Sequence, residues 1–233
     1  MSEDRSQCRR LPSVGPFAAL SSQAAQAVLP NLHSFVRDPD EQIFQAGRPA
    51  DGLYIVNSGI VKVLQSTCDG SRVHILGLRG RGDPMGEEAL FNGRPHAASA
   101  QAISATRLCY LPQDDLEAVI ERHPEVAVAL MRTMAERLMN NHRVRVELAY
   151  DCSEARMART LIRLMDRFGH REREHGALGL QLSRTELAEL LGLRPETAIR
   201  ILSDWRHDGL IELEERSLRV RDREGLRERA EAA

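Results

Sequence analysis

The stretch from Ser183 to Trp205, SRTELAELLGLRPETAIRILSDW, decides the fold of the C-terminal part of the chain. Ser183 followed three residues later by Glu186 predicts a capping box, which starts a helix by satisfying its free backbone N–H groups. Gly192 predicts the end of that helix, and Pro195 suits the first turn of the next one. Two short helices joined by a tight turn indicate a helix-turn-helix.

The second of these helices has one apolar side and one polar side. Ala198, Ile201, Leu202 and Trp205 recur at helical spacing and predict its buried side. The opposite side carries Glu196, Thr197 and Arg200. Short polar side chains and an arginine at the start of a helix suit the major groove of DNA. On the pattern alone, a plain helical hairpin stays open as the alternative.

The residues after the second helix strengthen the DNA-binding interpretation. Gly209 predicts the end of the helix, and apolar residues between 210 and 220 are compatible with two strands around a turn at Glu214–Ser217. Two helices followed by a hairpin indicate a winged helix-turn-helix. The net charge of the chain is only −2, so a DNA-binding surface has to be locally positive.

Composition bounds the class of protein. The 233 residues allow one large or two ordinary domains, and a 4% aromatic content predicts aliphatic cores. No apolar run approaches the roughly 20 residues that span a bilayer, and the N-terminus lacks the apolar core of a secretory signal. We therefore expect a cytoplasmic protein without a membrane partner. The four cysteines are widely spaced, which makes a zinc ribbon or a disulfide scaffold unexpected.

The chain divides into three segments of different texture. From about Phe35 to Pro112, short alternating apolar runs are punctuated by glycine, which indicates an antiparallel β-roll. Helical patterns follow from Gln113. We predict an α+β chain with a β-roll at 17–123, a long dimerisation helix at 124–151 and a winged helix-turn-helix domain at 152–233.

A stripe with alternating steps of three and four runs along the long helix and fits a coiled-coil seam. It passes through Val128, Met131, Ala135, Leu138, His142 and Arg145. A parallel register through Met131, Met134, Leu138, Asn141, Arg145 and Leu148 is nearly as good. Either register predicts a homodimer, and packing of the helix on its own domain is the alternative.

Three motifs carry a resemblance to a known family. They are F-x-x-G-x-x-x-D-x-L-Y-x-V-x-x-G at Phe44 to Gly59, G-D-x-x-G-E-x-A-L-F at Gly82 to Phe91, and L-G-L-x-x-E-T-x-x-R at Leu191 to Arg200. With the order of segments, they make residues 17–225 resemble the CRP/FNR superfamily of bacterial transcription regulators. The resemblance implies a cyclic-nucleotide-binding-like roll related to the cupin jelly roll. It also implies a homodimer that binds double-stranded DNA and contacts RNA polymerase, through loops at 170–179 and 67–72.

The resemblance also implies roles for residues of the second helix. Glu196 would accept a hydrogen bond from cytosine N4, and Arg200 would donate to guanine O6 and N7. Ser183 and Thr197 would contact phosphates. Ile199 stands where relatives usually have serine or glycine; it could contact a thymine methyl group, so the half-site stays open. The predicted DNA-binding set is Ser183, Arg184, Arg194, Glu196, Thr197, Ile199 and Arg200.

The signal that the roll senses is less determined. Glu87 matches the glutamate of cyclic nucleotide binders, but Ala97 and Ala98 stand at their Arg-Ser positions. A buried phosphate would then lack a positioned cation, so we expect no dependence on cyclic AMP. An iron–sulfur cluster normally needs four thiolates, and only Cys8 and Cys109 match positions of cluster-binding relatives, so a cluster stays open as a less favoured alternative. Two-cysteine relatives imply a thiol–disulfide switch at comparable positions.

Haem and the absence of any effector also stay open, and we predict no cofactor. Although the roll resembles the cupin barrel, the chain has no H-x-H motif for a metal and no G-x-S-x-G or P-loop. We therefore do not expect an enzyme. An interaction module that does not bind DNA is the remaining rival, and it would leave the polar edge of Glu196, Thr197 and Arg200 unexplained.

Overall fold

The computed structural model describes residues 6–8, 11, 14–67, 69–70, 72–168, 179–180, 182–213 and 218–231. Contacts divide the chain into two compact units, which are 1–72 with 76–139, and 73–75 with 140–233. This division falls inside the long helix, whereas the sequence placed boundaries at either end of that helix.

The predicted β-roll is confirmed as two antiparallel sheets. One sheet has the strand order β1-β2-β9-β4-β7 and the other has the order β3-β8-β5-β6. The strands are β1 (Ser6–Gln7), β2 (His33–Arg37), β3 (Gln42–Phe44), β4 (Gly52–Ser58), β5 (Val61–Ser66), β6 (Val73–Arg79), β7 (Pro84–Met85), β8 (Ser99–Ala102) and β9 (Thr106–Pro112).

The central pair of the larger sheet, β4 and β9, divides its side chains between two apolar clusters. Ile55 lies opposite Cys109 and belongs to one cluster. Its neighbour Tyr54 lies opposite Tyr110 and belongs to the other. Successive strand residues point to opposite faces, so both faces of this sheet are covered. That burial explains why β4 and β9 carry continuous apolar runs, whereas the sequence of the roll as a whole suggested alternation.

Glycine is required at two of the predicted turns. Gly59, between β4 and β5, has a φ of 92°, and a Cβ there would lie 2.5 Å from Thr106 Oγ1. Gly86 has a φ of 89° and precedes the helix that begins at Glu87. An L side chain is strained at such angles, so both positions favour glycine.

In the part of the chain that the structure describes, four α-helices accompany the roll. They are α1 (Ser22–Val28), α2 (Glu87–Asn92), α3 (Gln113–Arg122) and α4 (Glu125–Tyr150). Helix α1 is followed directly by a short 3-10 turn at Leu29–Asn31. The start of α4 belongs to the roll, since Val126 and Leu130 are fully buried in its apolar cluster.

The second unit is a winged helix-turn-helix, as predicted. Its elements are α5 (Ser153–Phe168), β10 (Gly179–Leu180), α6 (Arg184–Leu191), α7 (Pro195–His207), β11 (Ile211–Leu213), β12 (Leu218–Val220) and α8 (Arg223–Glu231). The three strands form a sheet of order β10-β12-β11, with Ile211 opposite Val220. The predicted turn at 214–217 lies outside the described residues. Strands β1 and β10 and helix α8 were not predicted.

None of the helices in the described ranges combines the length and the apolar character that a bilayer crossing requires.

Candidate nucleic-acid interface

The capping box that the sequence predicted is present at the start of α6. Ser183 Oγ accepts from the N–H of Glu186 at 3.1 Å, and Glu186 Oε2 accepts from the N–H of Ser183 at 2.9 Å. These bonds explain how the Glu186 carboxylate is tolerated in a buried position. The Ser183 hydroxyl still has its own hydrogen, which a phosphate oxygen can accept.

The turn between α6 and α7 follows from its residues. Gly192 ends α6 with a φ of 63°, and its N–H donates to the carbonyl of Ala188. Arg194 is extended and precedes α7, while Pro195 occupies the first helical position. A proline there loses no hydrogen bond, because the first N–H groups of a helix have no partner within it.

Helix α7 separates its two sides as predicted. Ala198, Ile201, Leu202 and Trp205 are buried. Glu196, Ile199 and Arg200 are exposed, and Ile199 presents 47% of its surface to solvent. The helix therefore leaves one apolar side chain between an acid and an arginine, an arrangement that matches the mixed polar and methyl pattern of base edges.

The structure places the predicted DNA-binding residues at the starts of two consecutive helices. Arg184, Arg194, Glu196, Ile199 and Arg200 are exposed, and Ser183 and Thr197 are half-buried. Within the described ranges, no hydrogen bond or ion pair occupies the side chains of Glu196 and Arg200. Arg200 is therefore available for a contact with a base, whereas Arg159, Arg163 and Arg229 of the same unit are paired with carboxylates.

Helix α7 is anchored on α5. The indole Nε1 of Trp205 donates to Glu154 Oε1 at 2.9 Å. Trp205 is fully buried. On α5, Met157, Ala158 and Leu161 are fully buried as well. A large aromatic ring with its polar atom satisfied fixes a helix well. The exposed side of α7 is thus held on a rigid support.

Comparisons with known proteins agree with this geometry. The family model "Cyclic nucleotide-binding domain" matches residues 36–123, and the "Crp-like helix-turn-helix domain" matches residues 155–229. The chain is 33% identical over 222 residues to the CRP-like cAMP-activated global transcriptional regulator of Mycobacterium tuberculosis, covering 94% of this chain and 98% of that relative.

A second relative and a solved structure extend the comparison. The transcriptional activator protein Anr of Pseudomonas aeruginosa is 28% identical over 182 residues, covering 78% of this chain and 74% of the relative. The structure of FixK2 from Bradyrhizobium japonicum superposes with a TM-score of 0.75 at 27% identity, covering 87% of this chain and 98% of that one. The chain belongs to the CRP/FNR superfamily of bacterial transcription regulators. It is a DNA-binding transcription regulator.

The roll holds a buried charge pair that the sequence did not reveal. Glu87 is 1% exposed, and its Oε1 accepts from Arg137 Nη1. Arg137 also donates from Nη2 to the carbonyl of Pro84 at 2.5 Å. Burial raises the pKa of Glu87, and Arg137 offsets part of that rise. From the sequence we considered a cation only for a bound phosphate, and we did not identify Arg137, 50 residues away on α4, as the partner of Glu87.

Cys8 and Cys109 form a disulfide, with their Cα atoms 6.4 Å apart. Cys8 follows β1, which pairs with β2, and its N–H donates to the Leu32 carbonyl at 3.0 Å. Cys109 is fully buried on β9. Cys152 is free and exposed, and Cys68 lies outside the described residues. The disulfide brings together the two cysteines that the family resemblance had singled out.

The stripe along α4 is exposed over most of its length. Leu138 and Met131 present 56% and 58% of their surfaces to solvent. Val128, Ala135, His142 and Arg145 are exposed as well, whereas Met134 of the parallel register is half-buried. A row of exposed apolar side chains on one helix marks an interaction surface.

Proposed function

We propose that the chain acts as a homodimer that reads a palindromic promoter site with α7 and contacts RNA polymerase. The role is one of binding rather than catalysis. The observation that carries the proposal is the unoccupied Glu196–Arg200 edge on a helix that Trp205 anchors from behind. A residue pair kept free on a rigid support is suited to base readout, which requires well-placed donors and acceptors.

Each member of the edge suggests a part of the half-site. Glu196 accepts from cytosine N4, and Arg200 donates to guanine O6 and N7. Ile199 contributes contact with a thymine methyl group. The half-site therefore contains a G·C core beside a position that favours A·T. In a dimer, the two half-site centres lie about 34–36 Å apart, which is one turn of duplex.

Selection of bound duplexes from a random pool tests the readout. Arg200→Ala should lose preference at one G·C pair, at a cost of about 1–3 kcal/mol, because the bidentate contact disappears. Arg206→Ala is the matched control, since Arg206 is an exposed arginine near the end of the same helix. It should weaken binding to every sequence about equally. Equal base preferences in wild type and Arg200→Ala would contradict the assignment.

A second copy of the chain is the proposed partner of the α4 stripe. Leu138→Glu places a charge in that seam and should give a monomer, measured by sedimentation equilibrium. Val36→Glu is the control, because Val36 is an exposed apolar residue on the strand β2 and not on α4. If Leu138→Glu still dimerises fully, the α4 stripe is not the dimer interface.

Contact with RNA polymerase is proposed for the loops at 170–179 and 67–72, and in that role the chain would act as an activator at suitably placed sites. Most of the first loop lies outside the described residues. In the second, the Thr67 N–H donates to the Arg72 carbonyl at 2.9 Å, which closes the loop. Arg72→Ala should lower transcription in a purified system with DNA affinity unchanged; a matching loss of DNA affinity would refute this role.

We propose independence from cyclic AMP, although the similar M. tuberculosis protein is described as cAMP-activated. Two features support independence. Ala97 and Ala98 offer no cation or hydroxyl to a phosphate, and the Glu87 carboxylate already pairs with Arg137. Addition of cyclic AMP should leave DNA affinity unchanged in a titration. A clear gain in affinity would overturn this part of the proposal.

Redox control is a second candidate function, and the Cys8–Cys109 disulfide favours it. A reducing dithiol would convert the bond into two thiols and would itself be oxidised to a disulfide. DNA affinity should then differ between the oxidised and reduced protein, and Cys8→Ser should abolish the difference. Cys152→Ser, which removes the free exposed thiol, should preserve it. Equal affinity in both redox states would exclude the switch.

A further inference from the structure

We propose that the C-terminal helix α8 positions the DNA-reading helix, with Arg229 as the positioning residue. This inference rests on the proposed role of α7 in the groove. Helix α8 follows the winged hairpin and contributes no residue to the predicted DNA-binding set. Its contacts are instead directed at the supports of α7.

Arg229 connects three helices of the second unit. Its Nη1 donates to Glu154 Oε1 at 2.8 Å, and its Nη2 donates to Asp208 Oδ2 at 2.8 Å. Asp208 is the residue that caps the end of α7. Glu154 lies in the first turn of α5 and is the same carboxylate that accepts from Trp205. One guanidinium group therefore fixes the last turn of α7 relative to α5.

Helix α8 is itself held in place along its length. Leu226 and Ala230 are buried, and Arg223 near the start donates to Asp166 Oδ1 on α5 at 2.5 Å. At the other end, Arg159 of α5 donates to the carbonyl of Ala230 at 2.6 Å. Because both ends of α8 are hydrogen-bonded to α5, the position of Arg229 relative to α5 is fixed.

The start of α8 leaves little room for movement. Asp222 Oδ1 accepts from the N–H of Gly225 at 2.9 Å, a local bond of the type that begins helices. A Cβ at Gly225 would lie 2.5 Å from Leu210 Cδ2 and 2.7 Å from Asp222 Oδ2. The helix therefore approaches the chain after α7 as closely as a glycine permits.

These contacts bear on placement more than on stability. Arg229, Glu154 and Asp208 are each about two-fifths exposed, and ion pairs at such positions contribute little to the free energy of unfolding. An arginine fork is directional, however, and fixes the geometry of the carboxylates that it joins. Base readout depends on that geometry, whereas general attraction to phosphates does not. Loss of Arg229 should therefore reduce selectivity.

The test compares Arg229→Ala with Arg227→Ala. Both variants remove one positive charge from α8, but among the described residues Arg227 pairs only with Glu224 of its own helix, at 2.7 Å. Affinity is measured for the selected duplex and for a random duplex, at two salt concentrations, together with the unfolding midpoint. Arg229→Ala should lower the ratio of the two affinities about five- to tenfold, comparable to the smallest losses that a single mismatched base pair causes. Arg227→Ala should leave the ratio unchanged.

Two further variants keep the test decisive. Arg229→Lys retains the charge but not the fork, so it should recover little of the selectivity. Asp208→Asn weakens only the link to α7 and should reproduce the loss, even if Arg229→Ala proves unstable. Equal ratios for Asp208→Asn, Arg229→Ala and Arg227→Ala, beside a selective wild type, would overturn this inference alone. A wild-type protein without selectivity would overturn the proposed readout by α7 as well.

Discussion

Different kinds of contact stabilise the interior of each compact unit. In the roll, apolar side chains cover both faces of the larger sheet, and rings pack between the sheets. Tyr54 lies 5.5 Å from Phe44 and 5.0 Å from Tyr110, measured between ring centroids. The Cys8–Cys109 disulfide then ties the N-terminal strand to this core.

In the second unit, arginine–carboxylate pairs connect the helices. Arg163 of α5 donates to both oxygens of Glu147 and also to Thr160. Arg159 pairs with Asp151, just beyond the end of α4. These pairs lie beside a core in which Trp205 is the largest buried side chain.

The difference between apolar contacts in the roll and ion pairs in the second unit is related to what each unit does. Apolar burial and the disulfide contribute mainly to the free energy of unfolding. The exposed ion pairs between helices, such as those of Arg229, add little free energy, yet they fix angles and distances because the guanidinium fork is rigid. A unit that must present side chains to base edges benefits from the second kind of contact. The two units should therefore fail in different ways.

Trp205→Ala should have the largest effect and should act on the second unit alone. Removal of a fully buried tryptophan costs about 3–5 kcal/mol, because apolar area is lost and a cavity remains. It also leaves Glu154 without its indole partner. Denaturant unfolding followed by circular dichroism should show a separate early transition, while the roll unfolds as before.

Trp205→Phe is the matched control for this substitution. It keeps most of the ring but removes the N–H donor, so it should cost less than alanine. A loss of less than about 1 kcal/mol in Trp205→Ala would contradict the central position given to this residue.

Reduction of the disulfide should have the second largest effect and should act on the roll. The bond closes a loop with a sequence separation of 101 residues, and a native disulfide typically stabilises by about 2–4 kcal/mol. Trp205 is the only tryptophan of the chain and lies in the other unit, so its fluorescence transition should not move. Protein reduced with a dithiol is compared with oxidised protein, and both samples carry Cys152→Ser.

A shift of the tryptophan transition equal to that of the roll would contradict the separation of the two units. An unchanged roll would mean that the buried sulfur atoms contribute only by packing, as free cysteines do.

The helix-turn-helix could be predicted because its signals are local. The Ser183–Glu186 capping box, Gly192 and Pro195 lie within 13 residues of one another and each has a direct backbone consequence. The roll was recognisable for a similar reason, since its turns require glycines such as Gly59. Segments whose structure depends on their nearest neighbours are readable from sequence.

The contacts that sequence missed depend on distant partners. Helix α8, REGLRERAE, offers only Leu226 and Ala230 as buried residues, and its placement comes from packing on α5. Tertiary packing outweighs local propensity in such helices. Asp222 before the segment was the one available signal, because aspartate favours the position preceding a helix. Arg137 and Glu87 are 50 positions apart, and no local sequence pattern predicts their pairing.

The smallest predicted effect concerns pH and belongs to the roll. His96 is buried and its ring stacks on Phe44, with centroids 4.1 Å apart. Burial lowers its pKa from the ordinary 6.5, and the charge of Asp51 offsets part of that shift. The unfolded chain therefore binds a proton more readily than the folded roll does. The contribution of His96 to stability is complete above about pH 6.5 and is lost as the pH falls toward the lowered value.

Unfolding of the roll at a series of pH values measures this dependence. His96→Gln should flatten the decline below about pH 6.5, since no proton is then taken up at this position. His142→Gln is the control, because His142 is exposed on α4 and its substitution should leave the decline in place. If His142→Gln flattened the curve and His96→Gln did not, the buried ring would not be the group that titrates. The expected result would sharpen the comparison between the two units. The free energy of unfolding of the roll would fall in acid because the buried neutral ring of His96 takes up a proton on unfolding. The unfolding transition that Trp205 reports in the second unit would be unchanged by His96→Gln.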